Sequence, residues 1–149
     1  MPVIKEVRKL WGTELWHHND AQYCMKTLLL QHGAQSSLHY HKVKRETFLV
    51  TYGVVEIQRD ADGVWHRLEP GDSITIHPGV AHRFRAATTV ARVVEASTMH
   101  DDADVYRIEE SKVLPLQACS TLKRAARRSR RHATNGRGVM QRILNLKSQ

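Results

Sequence analysis

Four side chains of the types that bind transition metals recur at short, regular spacing in this sequence. His39 and His41 stand two residues apart, Glu46 follows five residues later, and His82 lies in a separate stretch, 71–84. Because successive side chains of a β-strand point to opposite faces, two histidines two positions apart project to the same side. Imidazole nitrogens and a carboxylate form a common ligand set for a divalent ion. The spacing therefore predicts a metal site compatible with Zn, Mn, Fe, Ni or Co.

The other histidines are interpreted differently, because a single histidine is usually a surface residue or a core residue with satisfied hydrogen bonds. This interpretation covers His17, His18, His32, His66, His100 and His132. His77 precedes a proline near the expected rim of the site. It is expected at most to contact a metal-binding residue and not to bind the metal itself.

The segments that must position these ligands read as short β-strands. They are bounded by turns rich in Gly, Pro and Asp, such as the run DADG at 60–63. Many short strands at regular spacing predict an all-β fold, either an antiparallel barrel or a double-sheet jelly roll. The expected strands are 23–30, 35–40, 46–51, 54–59, 64–68, 73–76 and 91–97.

Two of these strands carry ionisable groups on faces that are otherwise apolar. Lys26 shares a face with Leu28 and Leu30, and Glu95 shares one with Val93. If those faces are interior, each charge needs a partner, because burying an unpaired charge is costly. For Lys26 the alternative, an outward and solvated lysine, stays open at this point.

The charge of the chain is concentrated at its C-terminal end. The formal net charge is +8, and residues 117–149 hold nine of the 23 Lys and Arg residues and no acid. Subtracting nine from 23 leaves 14 basic against 15 acidic residues in 1–116, which is nearly neutral. We therefore expect one domain over 1–116 and a basic tail over 117–149. The tail is expected to be disordered on its own or helical, and a contact with nucleic acid is its less favoured role.

Compartment and redox state follow from what the sequence lacks. No run of about 18 apolar residues occurs, so no transmembrane helix is expected. The N-terminal stretch MPVIKEVRKLWG lacks the apolar centre of a signal peptide, which favours the cytoplasm. Cys24 and Cys119 fit no metal or redox spacing and are interpreted as free thiols.

Both metal-ligand stretches resemble the two sequence motifs of the cupin superfamily. The first motif is matched without a mismatch, and the second departs only where His77 replaces the usual proline. The matching residues are Gly33, His39, His41, Glu46 and Gly53 in the first motif and Gly71, Asp72, Pro78, Gly79 and His82 in the second. The resemblance covers roughly residues 10–108 and implies a jelly-roll (double-stranded β-helix) barrel with one divalent metal ion.

Within that superfamily the chain resembles small sugar cupins related to type II mannose-6-phosphate isomerase and D-lyxose isomerase. The likeness rests on Trp11-Gly12, Lys26, the block 37–46, the block 78–82 and the run from Glu95 to Arg107. It implies that the metal polarises a sugar's carbonyl and hydroxyl oxygens while Glu95 or Lys26 moves a proton. Arg83, Arg85 or Lys26 would then hold an anionic substituent.

Two other functions fit the same ligands. The first is a metal-dependent dioxygenase or decarboxylase, for which Lys26 and Glu95 matter less. The second is a non-catalytic module that binds a small ligand, with the basic tail delivering it to nucleic acid. In every case we expect a homodimer, the commonest oligomer.

Overall fold

The computed structural model describes residues 5–60 and 63–115 and builds them almost entirely from β-strands. A single turn of 3₁₀ helix, Asp102–Asp104, interrupts them. The strands of the described residues are β1 (Lys5–Lys9), β2 (Gly12–Asn19), β3 (Cys24–Gln31), β4 (Ala34–Gln35), β5 (Leu38–Tyr40), β6 (Glu46–Tyr52), β7 (Val55–Arg59), β8 (Trp65–Leu68), β9 (Ser73–Ile76), β10 (His82–Ala86), β11 (Val90–Ser97), β12 (Tyr106–Glu109) and β13 (Lys112–Val113).

The first sheet contains six strands in the order β1-β2-β3-β11-β6-β9, and every neighbouring pair is antiparallel. Its central strands alternate strictly between the interior and the outer face. On β3, Lys26, Leu28 and Leu30 are buried while Met25 is exposed. The hydrophobic period of two in the sequence is therefore the physical origin of this sheet.

The second sheet is organised around β10, which pairs with β7 on one side and with β4 and β5 on the other. Strands β4 and β5 run in sequence along the same edge of β10. Strand β8 extends the sheet beyond β7, and β12 and β13 extend it beyond β5 and β4. All of these pairings are antiparallel, so the structure confirms the predicted all-β jelly-roll fold.

Apolar side chains fill the space between the two sheets, and their packing stops where the ionisable groups begin. Trp11 meets Phe84 edge to face at 5.0 Å, and the ring centroids of Phe48 and Phe84 are 5.9 Å apart. Along β6 the inward residues change from Val50 to Phe48 and then to the carboxylate of Glu46. The barrel is therefore apolar at one end of its interior and charged at the other.

The turn that ends the first ligand stretch requires glycine. Gly53 has φ of +71°, and a Cβ built on it would lie 2.3 Å from the carbonyl oxygen of Val90. A side chain there would meet both a disfavoured backbone conformation and a backbone clash. This glycine therefore lets β6 turn tightly into β7 against the start of β11.

Several sequence expectations are resolved by this architecture. Lys26 and Glu95 are interior, with 2% and 4% exposure, so the solvated alternative for Lys26 was wrong. After the 3₁₀ turn the chain adds the edge strands β12 and β13. Among the described residues, no helix has the length and apolar character needed to cross a bilayer. The basic tail, 117–149, and Cys119 lie outside the described residues.

Candidate metal centre

A cavity of about 220 Å³ opens at the charged end of the barrel, and the residues singled out from the sequence converge on it. Its walls come from both sheets and include Lys26, His39, His41, Glu46, His82 and Glu95. Only two of the predicted site residues are absent from this wall. The cavity therefore joins the predicted ligands to the two predicted proton-transfer groups in one space.

Three imidazoles from two chain segments meet in the cavity. His39 lies on β5, His41 follows the end of that strand, and His82 opens β10, where its backbone is the direct partner of His39. One nitrogen from each ring lies within 4.8 Å of the others. His41 and His82 are buried, with 3% and 1% exposure. Strand pairing between β5 and β10 thus brings together histidines that are 41 to 43 residues apart in sequence.

Each of the three rings is oriented by a backbone carbonyl. The Nδ1 atoms of His39, His41 and His82 lie 3.0, 2.8 and 3.1 Å from the carbonyl oxygens of Ser37, Asp104 and Val80. A carbonyl only accepts hydrogen bonds, so each Nδ1 carries the proton and donates it. In a neutral ring the Nε2 atom then presents a lone pair. This arrangement is typical of metal-binding histidines.

The carboxylate of Glu46 lies against two of these imidazoles. Its Oε2 atom lies 3.0 Å from Nε2 of His82 and 3.5 Å from Nε2 of His41. Both Oε2 of Glu46 and Nε2 of His82 are buried without a hydrogen-bond partner. Two lone-pair atoms at this distance repel unless a cation lies between them, so these residues fit a divalent metal ion.

The electrostatics of the site favour a metal over protons. Burial, reinforced by the neighbouring His82, lowers the pKa of His39 from 6.5 to about 3. Burial also lowers the pKa of His41. Burial opposes ionisation of Glu46, but the adjoining His82 ring and the Lys44 ammonium outweigh it and hold the pKa of Glu46 well below its usual value. Near neutral pH His39, His41 and Glu46 are therefore unprotonated, which is the form that binds a metal ion.

A second buried layer, absent from the sequence prediction, surrounds the ligands and centres on Lys44. The Nζ atom of Lys44 donates to Oε1 of Glu46 at 2.5 Å and to Oε1 of Glu95 at 2.6 Å. Burial alone would lower the pKa of Lys44, but the two carboxylates raise it above its ordinary value. The ammonium therefore links the ligand carboxylate to the predicted base.

Lys26 forms a further polar cluster beside Glu95. Its Nζ atom lies 3.1 Å from Nδ1 of His100, 3.6 Å from Oε2 of Glu14 and 3.9 Å from Oε1 of Glu95. It also lies 4.0 Å from the ring centroid of Trp16, a cation–π contact. Every charge in this part of the cavity thus has a partner, which is what allows a lysine to be buried.

Asp104, the last residue of the 3₁₀ turn, holds the loop after β5 that carries His41 and Lys44. The carboxylate of Asp104 accepts hydrogen bonds from the backbone amides of Lys42, Val43 and Lys44 at 2.8, 3.1 and 3.0 Å. The carbonyl of the same residue accepts from Nδ1 of His41. One residue from the end of the barrel therefore holds both a ligand ring and the loop that delivers Lys44.

The two arginines expected to bind substrate lie elsewhere. Arg83 and Arg85 alternate with His82 and Phe84 along β10 and point to the outer face, and neither lines the cavity. There Arg83 pairs with Glu109 and Arg85 pairs with Glu56, each at 2.7 Å. The guanidinium groups of Arg83 and Arg85 lie 5.5 and 4.1 Å from the ring centroid of Trp65. The cations on the cavity wall are Lys9, Lys26, Lys44 and Arg107.

Three cavity-region residues were missed by sequence reasoning, and two of them carried a usable signal. Lys44 precedes Glu46 by two positions, so strand alternation alone would have placed them side by side. His100 follows the strand that carries Glu95 but was interpreted as an ordinary histidine. For Asp104 no local signal existed, because its partners are about 60 residues away in sequence.

Comparison with known proteins agrees with this description at the level of the domain. Residues 26–96 match the family model described as Cupin domain. No curated protein matches the chain. Among solved structures, KdgF from Halomonas sp. is similar with a TM-score of 0.59 and 17% identity, covering 66% of this chain and 89% of KdgF.

Two larger proteins contain a similar domain. Oxalate decarboxylase from Bacillus subtilis has a TM-score of 0.62 at 15% identity over 70% of this chain, and is described as having Mn(II) centres. The capsular polysaccharide assembling protein CapF from Staphylococcus aureus has a TM-score of 0.62 at 17% identity over 70% of this chain. The chain spans 30% and 34% of these two proteins. At such identities the likeness concerns the fold.

Proposed function

We propose that this protein, whose residues 26–96 match the Cupin domain model, is a metal-dependent isomerase that acts on a sugar or sugar phosphate. The observation that carries the proposal is the position of Glu95. This buried carboxylate shares the Lys44 ammonium with the ligand Glu46, so a proton-transfer group lies beside the metal ligands. Isomerisation between an aldose and a ketose needs a Lewis acid and a base together.

The ligand set would hold the metal through Nε2 of His39, His41 and His82 and Oε2 of Glu46. A divalent ion bound there supplies Lewis-acid polarisation of a carbonyl or hydroxyl oxygen of the substrate. Zn, Mn, Fe, Ni and Co all accept nitrogen and oxygen ligands of this kind. Four protein ligands leave room for substrate oxygens on an ion that takes five or six.

The charge balance of the cavity suits a substrate that becomes more negative during the reaction. Its wall carries five carboxylates and four cations, which leaves a formal charge of −1; they are Glu14, Glu46, Glu95, Asp102 and Glu110, and Lys9, Lys26, Lys44 and Arg107. Adding a divalent ion makes the charge +1. Such a site stabilises negative charge on oxygen as a proton leaves the neighbouring carbon.

In this proposal Glu95 removes a proton from the carbon next to the substrate carbonyl and returns it to the former carbonyl carbon. Lys26, with His100 at 3.1 Å, can donate and recover a proton at the adjacent oxygen. Lys9 and Arg107 line the cavity and are the cations proposed for an anionic substituent, in place of the outer-face arginines.

The two other functions draw less support from these contacts. Oxygen chemistry needs the metal but no base beside it, and decarboxylation needs a proton delivered to the carbon that loses CO₂ but no base that removes a carbon-bound proton. The likeness to oxalate decarboxylase supports the fold and leaves decarboxylation as the alternative that the assays must exclude. The binding-module function depends on the basic tail, which lies outside the described residues.

The first experiment measures metal content in protein purified without a tag. We expect about one equivalent of a divalent metal in the wild type and a loss of at least about tenfold in affinity in His82→Ala. His66→Ala is the matched control, because His66 is an exposed histidine of β8 and should leave the metal in place. Absence of metal from the wild type, even after incubation with each ion, would refute the proposal.

The second experiment tests the reaction class. Aldoses and sugar phosphates are incubated with metal-loaded protein in D₂O, and deuterium at the carbon next to the carbonyl is followed by NMR. Glu95→Gln should reduce exchange by about 10²- to 10⁴-fold while keeping the metal. Glu56→Gln, on the outer face of β7, is the control and should be unaffected. Oxygen uptake or CO₂ release without carbon-bound exchange would favour the alternative.

A further inference from the structure

Lys44 is among the most deeply buried charged side chains of the described residues, with a side-chain exposure of 2%. It is not a ligand, since an ammonium group has no lone pair to offer. Its Nζ atom is nevertheless only 2.5 Å from Oε1 of the ligand Glu46. Stability alone does not explain a lysine at this position, because a buried ion pair is often no more stabilising than two well-packed apolar side chains of similar volume.

The contact divides the two oxygens of Glu46 between different partners. Oε1 accepts from the ammonium of Lys44, while Oε2 faces the Nε2 atoms of His82 and His41. A carboxylate without such a partner can bind a metal ion through one oxygen or through both. In this cavity one of the two oxygens is already engaged.

We propose that Lys44 is a positioning residue that keeps Glu46 a one-oxygen ligand and thereby preserves an open position on the ion for substrate. The inference rests on the metal site of the proposed function and concerns how that site is kept accessible. In this proposal Lys44 also lowers the affinity of the site for the metal ion. A positive charge beside the ligand carboxylate weakens the attraction for a divalent cation.

The backbone around Lys44 supports a fixed position for its ammonium. The amide of Lys44 donates to the carboxylate of Asp104, as do the amides of Lys42 and Val43. At its far end the ammonium is also held by Glu95, at 2.6 Å. The side chain is thus anchored at its base and at its tip, so it cannot swing away from Glu46 without breaking several hydrogen bonds.

The test uses Mn(II) alone as the probe on the full chain. Water-proton relaxation reports how many exchangeable waters remain on each bound ion. We expect about two waters per ion in the wild type and about one in Lys44→Met, because the freed Oε1 takes a coordination position. We also expect Mn(II) to bind on the order of tenfold more tightly in Lys44→Met. Lys42→Met, in the same loop but exposed over the Tyr106 ring, should match the wild type.

The outcomes separate this inference from the proposal it rests on. A wild type that binds no Mn(II) would refute both. A wild type that binds, with unchanged hydration in Lys44→Met or with weaker binding in that variant, would overturn the role of Lys44 alone. If Lys44→Met does not fold, Lys44→Gln is measured instead. Its shorter, neutral side chain cannot reach both carboxylates, so retention of about two waters would overturn the inference equally.

Discussion

Removing the Asp104 carboxylate should weaken metal binding although Asp104 is not a ligand. In Asp104→Ala the amides of Lys42, Val43 and Lys44 lose an acceptor at 2.8, 3.1 and 3.0 Å. The backbone carbonyl that orients His41 is kept, but the loop beside it is no longer held. The ligand ring and the lysine next to the site should both lose their fixed positions.

The size of the effect follows from the exposure of the carboxylate. Asp104 is only partly buried, so water can replace its hydrogen bonds to the three amides. The loss of stability should therefore be about 1 kcal/mol, similar to the loss of a helix N-cap. Metal affinity should fall by about tenfold, as is typical when a group that orients a ligand is removed. Asp104→Asn keeps one acceptor oxygen and should lie between the wild type and Asp104→Ala.

Two assays on the same preparations decide the matter. Urea unfolding of metal-free protein measures stability, and calorimetric titration with Mn(II) or Zn(II) measures affinity. Asp20→Ala is the matched control, because Asp20 caps the amides of Gln22 and Tyr23 in a turn that does not line the cavity. It should lose stability without losing metal affinity. A metal Kd for Asp104→Ala within about twofold of the wild type would show that the loop does not position the ligands.

Three further predictions concern residues outside the metal centre. The pKa of the Asp20 carboxyl should be about 2 instead of 3.8 in an NMR titration, because the backbone amide of Tyr23 and then the side chain of His18 hydrogen-bond to its charged form. The turn is thus fully stabilised above pH 3.8 and loses that contribution as the pH falls through about 2. A midpoint near 3.8 would contradict this prediction. Arg85→Ala should cost less than about 1 kcal/mol and leave metal content and deuterium exchange unchanged, whereas lost exchange would return this residue to the site. Gly12→Ala should destabilise the protein by more than about 3 kcal/mol, because a Cβ at this position would lie 1.8 Å from a backbone atom of β3. Gly33→Ala should cost only about 1 kcal/mol, because Gly33 also has a positive φ but has open space around it. Equal losses of stability in urea unfolding would contradict the packing argument.

Local periodicity was sufficient to predict the fold and three histidines that could hold a metal ion. Alternation with a period of two marked the strands, turn residues marked their ends, and both properties depend only on neighbours in sequence. His39, His41, Glu46 and His82 were identified from residue type and spacing within two such stretches, and the structure brings one nitrogen of each imidazole within 4.8 Å of the others. The prediction that Glu95 shares the face of β11 with Val93 was also confirmed, because the two residues are two positions apart on the strand and both are buried.

Local reasoning was least successful in deciding which side chains reach the cavity. Periodicity places Arg83 and Arg85 on the face opposite to His82, whereas the family resemblance implied that they hold an anionic substituent of the substrate. The structure shows that the outer face of β10 offers them Glu56, Glu109 and Trp65 instead (contacts of 2.7, 2.7 and 4.1–5.5 Å). Long cationic side chains take the nearest partner on their own face, and the sheet separates them from the interior.

The surroundings of the ligands were decided by tertiary structure alone. Asp104 reaches the loop after β5 because β12 pairs with β5, a contact between segments more than 60 residues apart. Lys44 meets Glu95 because β6 pairs with β11. Residue types and spacing determined which atoms can bind a metal, since these are local properties of the chain. Which groups orient those atoms, neutralise them and leave room beside them depends on strand pairing across the barrel, which no local pattern encodes.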